Sequence, residues 1–308
     1  MPMDPNVSIV IPTYNVSESI IKTLDSVFAQ KYDNFEVIVV DNGSHDNTLD
    51  ILTNYPHKIH VHKCSERGAG PARNYGVSQS SGKFIAFLDA DDSWQDSKLS
   101  KQLKLHENES DGRIITGSYA TFLGKNSRII GSSPRTGSDS DATYEIIKNG
   151  SMPAPLSTWL MRRELFDEVG GFDSEYIFSQ DLEFLIRAVN NGVAIKILRE
   201  ELCNYSLSYA SGTSKNYVEQ YLTAKYLTDN SQDTRTLSLR EFINQKSKFN
   251  SRYFTRSRAG KYFRLAIIDY SSNKIFMCTC RLVLSFVLDP NRFIKKIVTQ
   301  SNLPSIWR

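Results

Sequence analysis

The chain has 308 residues, with 37 Lys and Arg against 34 Asp and Glu, and is 40% hydrophobic and 11% aromatic. Such a composition buries a substantial core and excludes a disordered, collagenous or coiled-coil protein. A formal net charge of +3 gives no ground for nucleic-acid binding, and four scattered cysteines without a C-x-x-C pair fit reduced thiols in a cytosolic protein.

The first six residues are polar and contain proline, without the basic start and apolar stretch of a signal peptide. No run reaches the ~18 apolar residues of a spanning helix. The nearest, residues 275–288, is short and contains Arg281. The expectation is a cytoplasmic protein that can still touch the inner face of a membrane.

Residues 7–11 read as an apolar strand, followed by a turn at Pro12, Thr13, Tyr14 and Asn15. Ile20, Ile21, Leu24, Val27 and Phe28 recur at helical spacing. Residues 35–40 form a β-branched run suited to a strand buried on both faces. Asp46 can cap a short helix reaching about residue 54. A third strand is predicted over 58–63, a helix over 69–79 and a fourth strand over 84–88. This alternation implies βαβ units and a parallel sheet with right-handed crossovers. Ligands of such sheets bind beyond the carboxyl ends of the strands, so residues 12–15, 41–44 and 89–92 should converge.

Further on, strands are predicted near 113–123, 157–162, 193–197 and 200–206, and helices near 142–149, 163–169 and 180–191. A Gly- and Ser-rich stretch, 124–142, reads as a surface loop. Beyond about residue 215 the pattern is helical. Residues 217–308 hold 16 Lys and Arg against 6 Asp and Glu, whereas the preceding 216 hold 21 against 28. An acidic body therefore carries a basic tail.

The sharpest chemical signal is the apolar strand ending in Asp89, Ala90, Asp91 and Asp92. Carboxylates so close repel one another unless a cation or proton intervenes, and a hard divalent ion held with substrate phosphates is one answer. A polar loop with exposed acids is the other. Asp41-Asn42-Gly43-Ser44 reads equally as a turn or as an acceptor of hydrogen bonds from a base or ribose. Gly68-Ala69-Gly70-Pro71-Ala72-Arg73 begins like a dinucleotide fingerprint, but Arg73 occupies the third glycine position. Its guanidinium suits phosphate or a base carbonyl.

Four motifs in order, Val-Ile-Pro-Thr-Tyr-Asn, Val-Val-Asp-Asn-Gly-Ser, Gly-Pro-Ala-Arg-Asn-x-Gly and Phe-Leu-Asp-Ala-Asp-Asp, resemble the family 2 glycosyltransferases of the GT-A fold. Arg162 to Gly171-Phe172-Asp173 continues the likeness, which covers roughly residues 6–214. The resemblance implies an α/β fold, with a Rossmann-like, mostly parallel sheet flanked by helices and a C-terminal helical extension. It implies a catalytic domain over 1–214, with a nucleotide-binding half to about 110 and an acceptor half from about 111. A basic helical region would fill 215–308.

By the same resemblance, Pro12, Thr13, Tyr14, Asn15, Asp41, Arg73, Asp89 and Ala90 would surround the nucleotide. Asp89 and Asp91 would be the D-x-D pair holding Mn²⁺ or Mg²⁺. Asp92, Trp159 and Gln180 would meet the acceptor, and Asp181 would be the catalytic base. The residues themselves put Asp181 in the first turn of a helix, where the dipole favours an acid by ~0.3–1 kcal/mol and lowers its pKa. The chain departs from the family pattern twice. Gln180 replaces the usual Glu, and residues 205–214 lack the His that some relatives carry. His60 and His62 share a strand face without a third ligand. The basic tail, in which cations interleave with Tyr253, Phe254, Tyr262 and Phe263, suits either an anionic lipid surface or packing on an acidic body.

The expected activity is inverting transfer of a sugar from a nucleotide sugar, a UDP-sugar above all, to a saccharide or lipid-linked acceptor in polysaccharide or glycolipid synthesis. The alternative is a non-catalytic sugar-nucleotide-binding subunit of a glycan-assembly complex.

Overall fold

The computed structural model describes residues 5–109, 112–132, 152–207, 216–229, 252–272 and 274–290. The chain divides into two compact units. The first comprises residues 1–120, 135–147 and 152–205, and the second residues 121–134, 148–151 and 206–308.

In the first unit, β1 (Val7–Thr13) is buried at every position and pairs in parallel with β2 (Phe35–Asp41) and β4 (Phe84–Phe87). The third strand, β3 (His60–Lys63), extends the parallel set beyond β2. Helices α1 (Ile20–Phe28), α2 (Thr48–Thr53) and α3 (Ala69–Ser78) are the crossovers. The fit of α3 is close: a Cβ on Gly76 would lie 2.5 Å from Val10 Cγ1 and 3.0 Å from Val40 Cγ2. These elements, and the α/β class, follow the sequence reading.

Beyond β4 the sheet changes sense. The strand β8 (Leu160–Arg162) runs antiparallel to both β4 and β6 (Ile114–Leu123). The edge strand β5 (Ser93–Trp94) pairs antiparallel with β9 (Ala194–Ser206). The order is β3-β2-β1-β4-β8-β6-β9-β5. Helices α4 (Lys98–Glu107), α5 (Arg163–Val169) and α6 (Gln180–Asn190) complete this unit.

Several expectations are corrected. Residues 194–206 form one 13-residue strand, not two. The strand expected from 157 begins at Leu160, after a 3-10 turn over Leu156–Thr158. The stretch 124–142 is not a plain loop, since it contains β7 (Ile129–Ser132) in its described part. The helix expected near 142–149 lies outside the described residues.

In the second unit, β7 pairs with the end of β6, Thr121 opposite Ser132. Three helices follow: α7 (Tyr217–Asp229), α8 (Arg252–Ser271) and α9 (Ile275–Leu288). The last two form a hairpin whose buried core is Phe263, Ala266, Cys278 and Leu282.

Candidate active site

The carboxyl ends of β1, β2 and β4 converge, and side chains lock them together. Asp41, fully buried, accepts from the amides of Gly43 and Ser44 at 3.1 Å each and lies 3.5 Å from Thr13 Oγ1. Asn15, at φ 52°, accepts from the His45 amide at 2.8 Å, while its own amide donates to Ser44 Oγ at 2.9 Å. Pro12 and Thr13 are buried, whereas Tyr14 and Asn15 project into solvent. Tyr14 meets the His45 ring edge-on at 6.5 Å. The exposed Tyr14 ring, at the end of β1, offers a surface on which a flat polar group can lie.

The turn after β4 is built from hydroxyl groups. Ser19, just before α1, and Thr23 within it each donate to the Ala90 carbonyl at 2.9 Å, and Thr23 also reaches the Asp92 carbonyl at 2.7 Å. The Asp89 amide donates to Ser157 Oγ at 3.1 Å, and Ser157 Oγ donates to Asp92 Oδ2 at 2.5 Å. Trp94 Nε1 donates to the Ser157 carbonyl at 2.6 Å, and the buried Lys98 ammonium lies 3.8 Å from the Trp94 ring centroid. None of these contacts uses the carboxylates of Asp89 or Asp91. Both of these side chains are half-buried.

Arg73 links this turn to α6. Its buried guanidinium donates from Nη2 to Asp89 Oδ1 at 2.5 Å and packs over Phe172, 5.7 Å from the ring centroid. With its amide oriented to satisfy both ends, Gln180 Oε1 accepts from Arg73 Nη1 at 2.9 Å and from the Gly70 amide at 3.2 Å. Its Nε2 then donates to the carbonyls of Tyr176 and Ile177 at 3.1 and 2.9 Å. The α6 helix is fixed from behind as well. Arg187 pairs with Glu183 at 2.5 Å and donates to the Gly171 carbonyl at 2.6 Å. Asn74 exchanges two hydrogen bonds with the Phe172 backbone, at 2.7 and 2.9 Å.

Asp181 follows Gln180 in the first turn of α6. Burial raises its carboxyl above the ordinary carboxylate range. The Leu182 amide and the Arg73 charge oppose that shift, and Asp89 adds to it. The lowering expected from the helix end is therefore outweighed by loss of water. Asp91 is pushed up to about 6, by burial first and by the Asp89 charge second. A paired carboxylate destabilised by its neighbour's charge is relieved by a cation, and an oxygen-only donor set suits a hard divalent ion. Among the described residues no group of three or more His, Cys, Asp or Glu could hold a metal. Any ion at the D-x-D pair would complete its shell with water and substrate oxygen.

The three residues expected at the acceptor are turned inward. Trp159 is 1% exposed, packs on Phe184 at 6.2 Å and donates to the Ala154 carbonyl at 3.3 Å; it offers no free ring face to a sugar. Asp92 is buried against Ser157, and Gln180 faces Arg73. The sequence pattern does not mark Ser19, Thr23, Ser157 or Lys98 as parts of the site. Their signal is polarity at positions where the helical period calls for a buried side chain, as with Thr23 one turn before Val27.

The model of glycosyl transferase family 2 matches residues 8–170. The amylovoran biosynthesis glycosyltransferase AmsB of Erwinia amylovora is 35% identical over 216 residues, 66% of this chain and 70% of that protein. The UDP-Glc:alpha-D-GlcNAc-diphosphoundecaprenol beta-1,3-glucosyltransferase WfaP of Escherichia coli is 38% identical over 105 residues, 33% of this chain and 42% of that one. Among solved structures, S. aureus TarS 1-349 in complex with UDP-GlcNAc superposes with a TM-score of 0.61. Its identity is 21%, with 92% of this chain and 91% of that chain covered. That likeness carries the fold, which is of the GT-A type. The family model covers more than half of the chain, and AmsB aligns across most of its own length. The chain belongs to glycosyl transferase family 2.

Proposed function

We propose that the protein transfers a sugar from a UDP-sugar to a hydroxyl of a saccharide or lipid-linked acceptor, with inversion, in the assembly of a polysaccharide or glycolipid. The observation that carries this reading is the chain of contacts Asp89–Arg73–Gln180, which brings the D-x-D turn beside Asp181. The UDP-GlcNAc bound to TarS and the UDP-Glc donor in the name of WfaP support a uridine nucleotide. The diphosphoundecaprenol in the name of WfaP supports a lipid-linked acceptor.

In this mechanism Tyr14 and Asp41 receive the nucleoside at the ends of β1 and β2. Asp89 and Asp91 would hold a divalent ion, which would supply positive charge beside the departing diphosphate. Asp181, raised by burial, takes the proton from the acceptor hydroxyl as that oxygen attacks the anomeric carbon. Arg73 holds Asp89 in place. The substitution of Gln for Glu at 180, which favoured a non-catalytic subunit, has a local reason: two backbone carbonyls need a donor there. A cytoplasmic location is part of the proposal and is supported by four free cysteines.

The test is release of UDP from a panel of UDP-sugars, with Mn²⁺ or with a chelator, in wild type and Asp91→Ala. Metal-dependent turnover of a donor, lost in the variant, supports the proposal. Binding of UDP without turnover of any donor, lipid-linked acceptors included, would favour the binding-subunit alternative.

A further inference from the structure

The hairpin of α8 and α9 leaves one face unaccounted for. Cys278, Leu282 and Ser285 of α9 form its packed stripe. The first two join Phe263 and Ala266 in the core, and Ser285 Oγ donates to the Ala259 carbonyl at 2.9 Å. On the opposite side, at the same helical spacing, stand Phe276, Val283 and Val287, exposed by 78%, 56% and 67%. Met277 and Leu284 widen the stripe and are also exposed. A helix apolar on every side is normally enclosed. Here one side is enclosed and the other carries large apolar groups in water.

Charge indicates what meets that face. The only charged residue within α9 is Arg281, and its guanidinium is 3.1 Å from Asp269 on α8. Asp289, just past the helix, lies 3.6 Å from Arg256. Residues 252–290 hold seven Lys and Arg but only these two acids, and Arg292, Lys295 and Lys296 follow in the sequence. Both acids are thus matched by cations within the hairpin, and its net charge is positive. Two copies joined through this face would bring like charges together, whereas an anionic bilayer would attract them. At about 1.5 Å per residue, the 14 residues of α9 span less than the ~30 Å of a bilayer core, and no described helix is long and apolar enough to cross a membrane.

We propose that α9 lies in the surface of an anionic lipid bilayer, with Phe276, Val283 and Val287 in the acyl boundary and the basic residues of the hairpin among the headgroups. This goes beyond the transferase reading and is tested without turnover, so either can fail alone.

The experiment is cosedimentation of the full chain with vesicles of phosphatidylcholine containing phosphatidylglycerol, and with phosphatidylcholine alone. The expected result is binding to the anionic vesicles that weakens at high salt. It should fall about tenfold or more in the double variant Phe276→Gln, Val287→Gln, with thermal unfolding unchanged. Absence of wild-type binding overturns the proposal, as does equal binding by the double variant. Absent binding together with a lower unfolding temperature in the variant would mean that the chain itself covers the face. Absent binding together with loss of a dimer in the variant would mean that a second copy does.

Discussion

Gln180 Oε1 accepts a hydrogen bond from Arg73 Nη1 at 2.9 Å, while its amide nitrogen faces the carbonyls of Tyr176 and Ile177. A carboxylate at this position would satisfy Arg73 but oppose two carbonyl oxygens. The amide is therefore demanded by its surroundings, and the Arg73 charge is kept for Asp89. Gln180→Glu should cost about 1–3 kcal/mol of stability, measured by denaturant unfolding. An unchanged midpoint would show that the two carbonyl contacts carry no weight.

Arg73 pairs with the D-x-D turn through Asp89. Arg73→Ala leaves Asp89 partly buried without its partner, at a cost of roughly 3 kcal/mol or more. Arg73→Lys, which cannot reach Asp89 and Gln180 at once, should keep the fold yet weaken UDP binding. Calorimetry with UDP separates the two effects; tight binding by the lysine variant would contradict the bridging role.

Trp159 is read as core, against the sequence expectation of an acceptor contact. Trp159→Ala should destabilise by about 3–5 kcal/mol. Trp159→Phe should retain most stability and leave the KM for acceptor unaltered. A large rise in acceptor KM in the phenylalanine variant would restore the original expectation.

His106 sets an acid limit on stability. Burial lowers its pKa to about 4; its Nε2 lies 3.2 Å from the Leu160 carbonyl, and its Nδ1 has no hydrogen-bond partner. The unfolded chain takes up this proton near pH 6.5, so between about 6.5 and 4 the unfolded state binds more protons than the folded one. Stability must therefore fall as the pH is lowered through that window, by roughly 3 kcal/mol from this group. Comparing wild type with His106→Gln at pH 7 and pH 4.5 checks the sign; a variant losing as much stability as wild type would exclude His106 as a source.

The parallel half of the sheet is legible in the sequence because β1, β2 and β4 are largely buried on both faces and read as mostly apolar runs, interrupted within β1 and β2 by Ser8 and Glu36. By contrast, α4 escapes pattern reading. Its buried positions, Lys98, Leu99, Gln102, Leu103 and His106, have helical spacing, but three are polar. The β9 strand looks like two strands because Arg199 and Glu200 are exposed in its middle. At the site, the sequence marks Asp41, Arg73, Asp89, Asp91 and Asp181 as chemical groups. It does not mark their supports, because the order in which Ser19, Thr23 and Ser157 meet the turn at 89–92 depends on long-range packing.

The most direct test of the account is Asp181→Asn, assayed for UDP binding and for transfer with the donor that wild type turns over. The account predicts near-wild-type UDP affinity, with turnover reduced by about 10²–10⁴-fold. Turnover within a few-fold of wild type would remove Asp181 as the base, and loss of UDP affinity in step with turnover would make it a nucleotide contact instead.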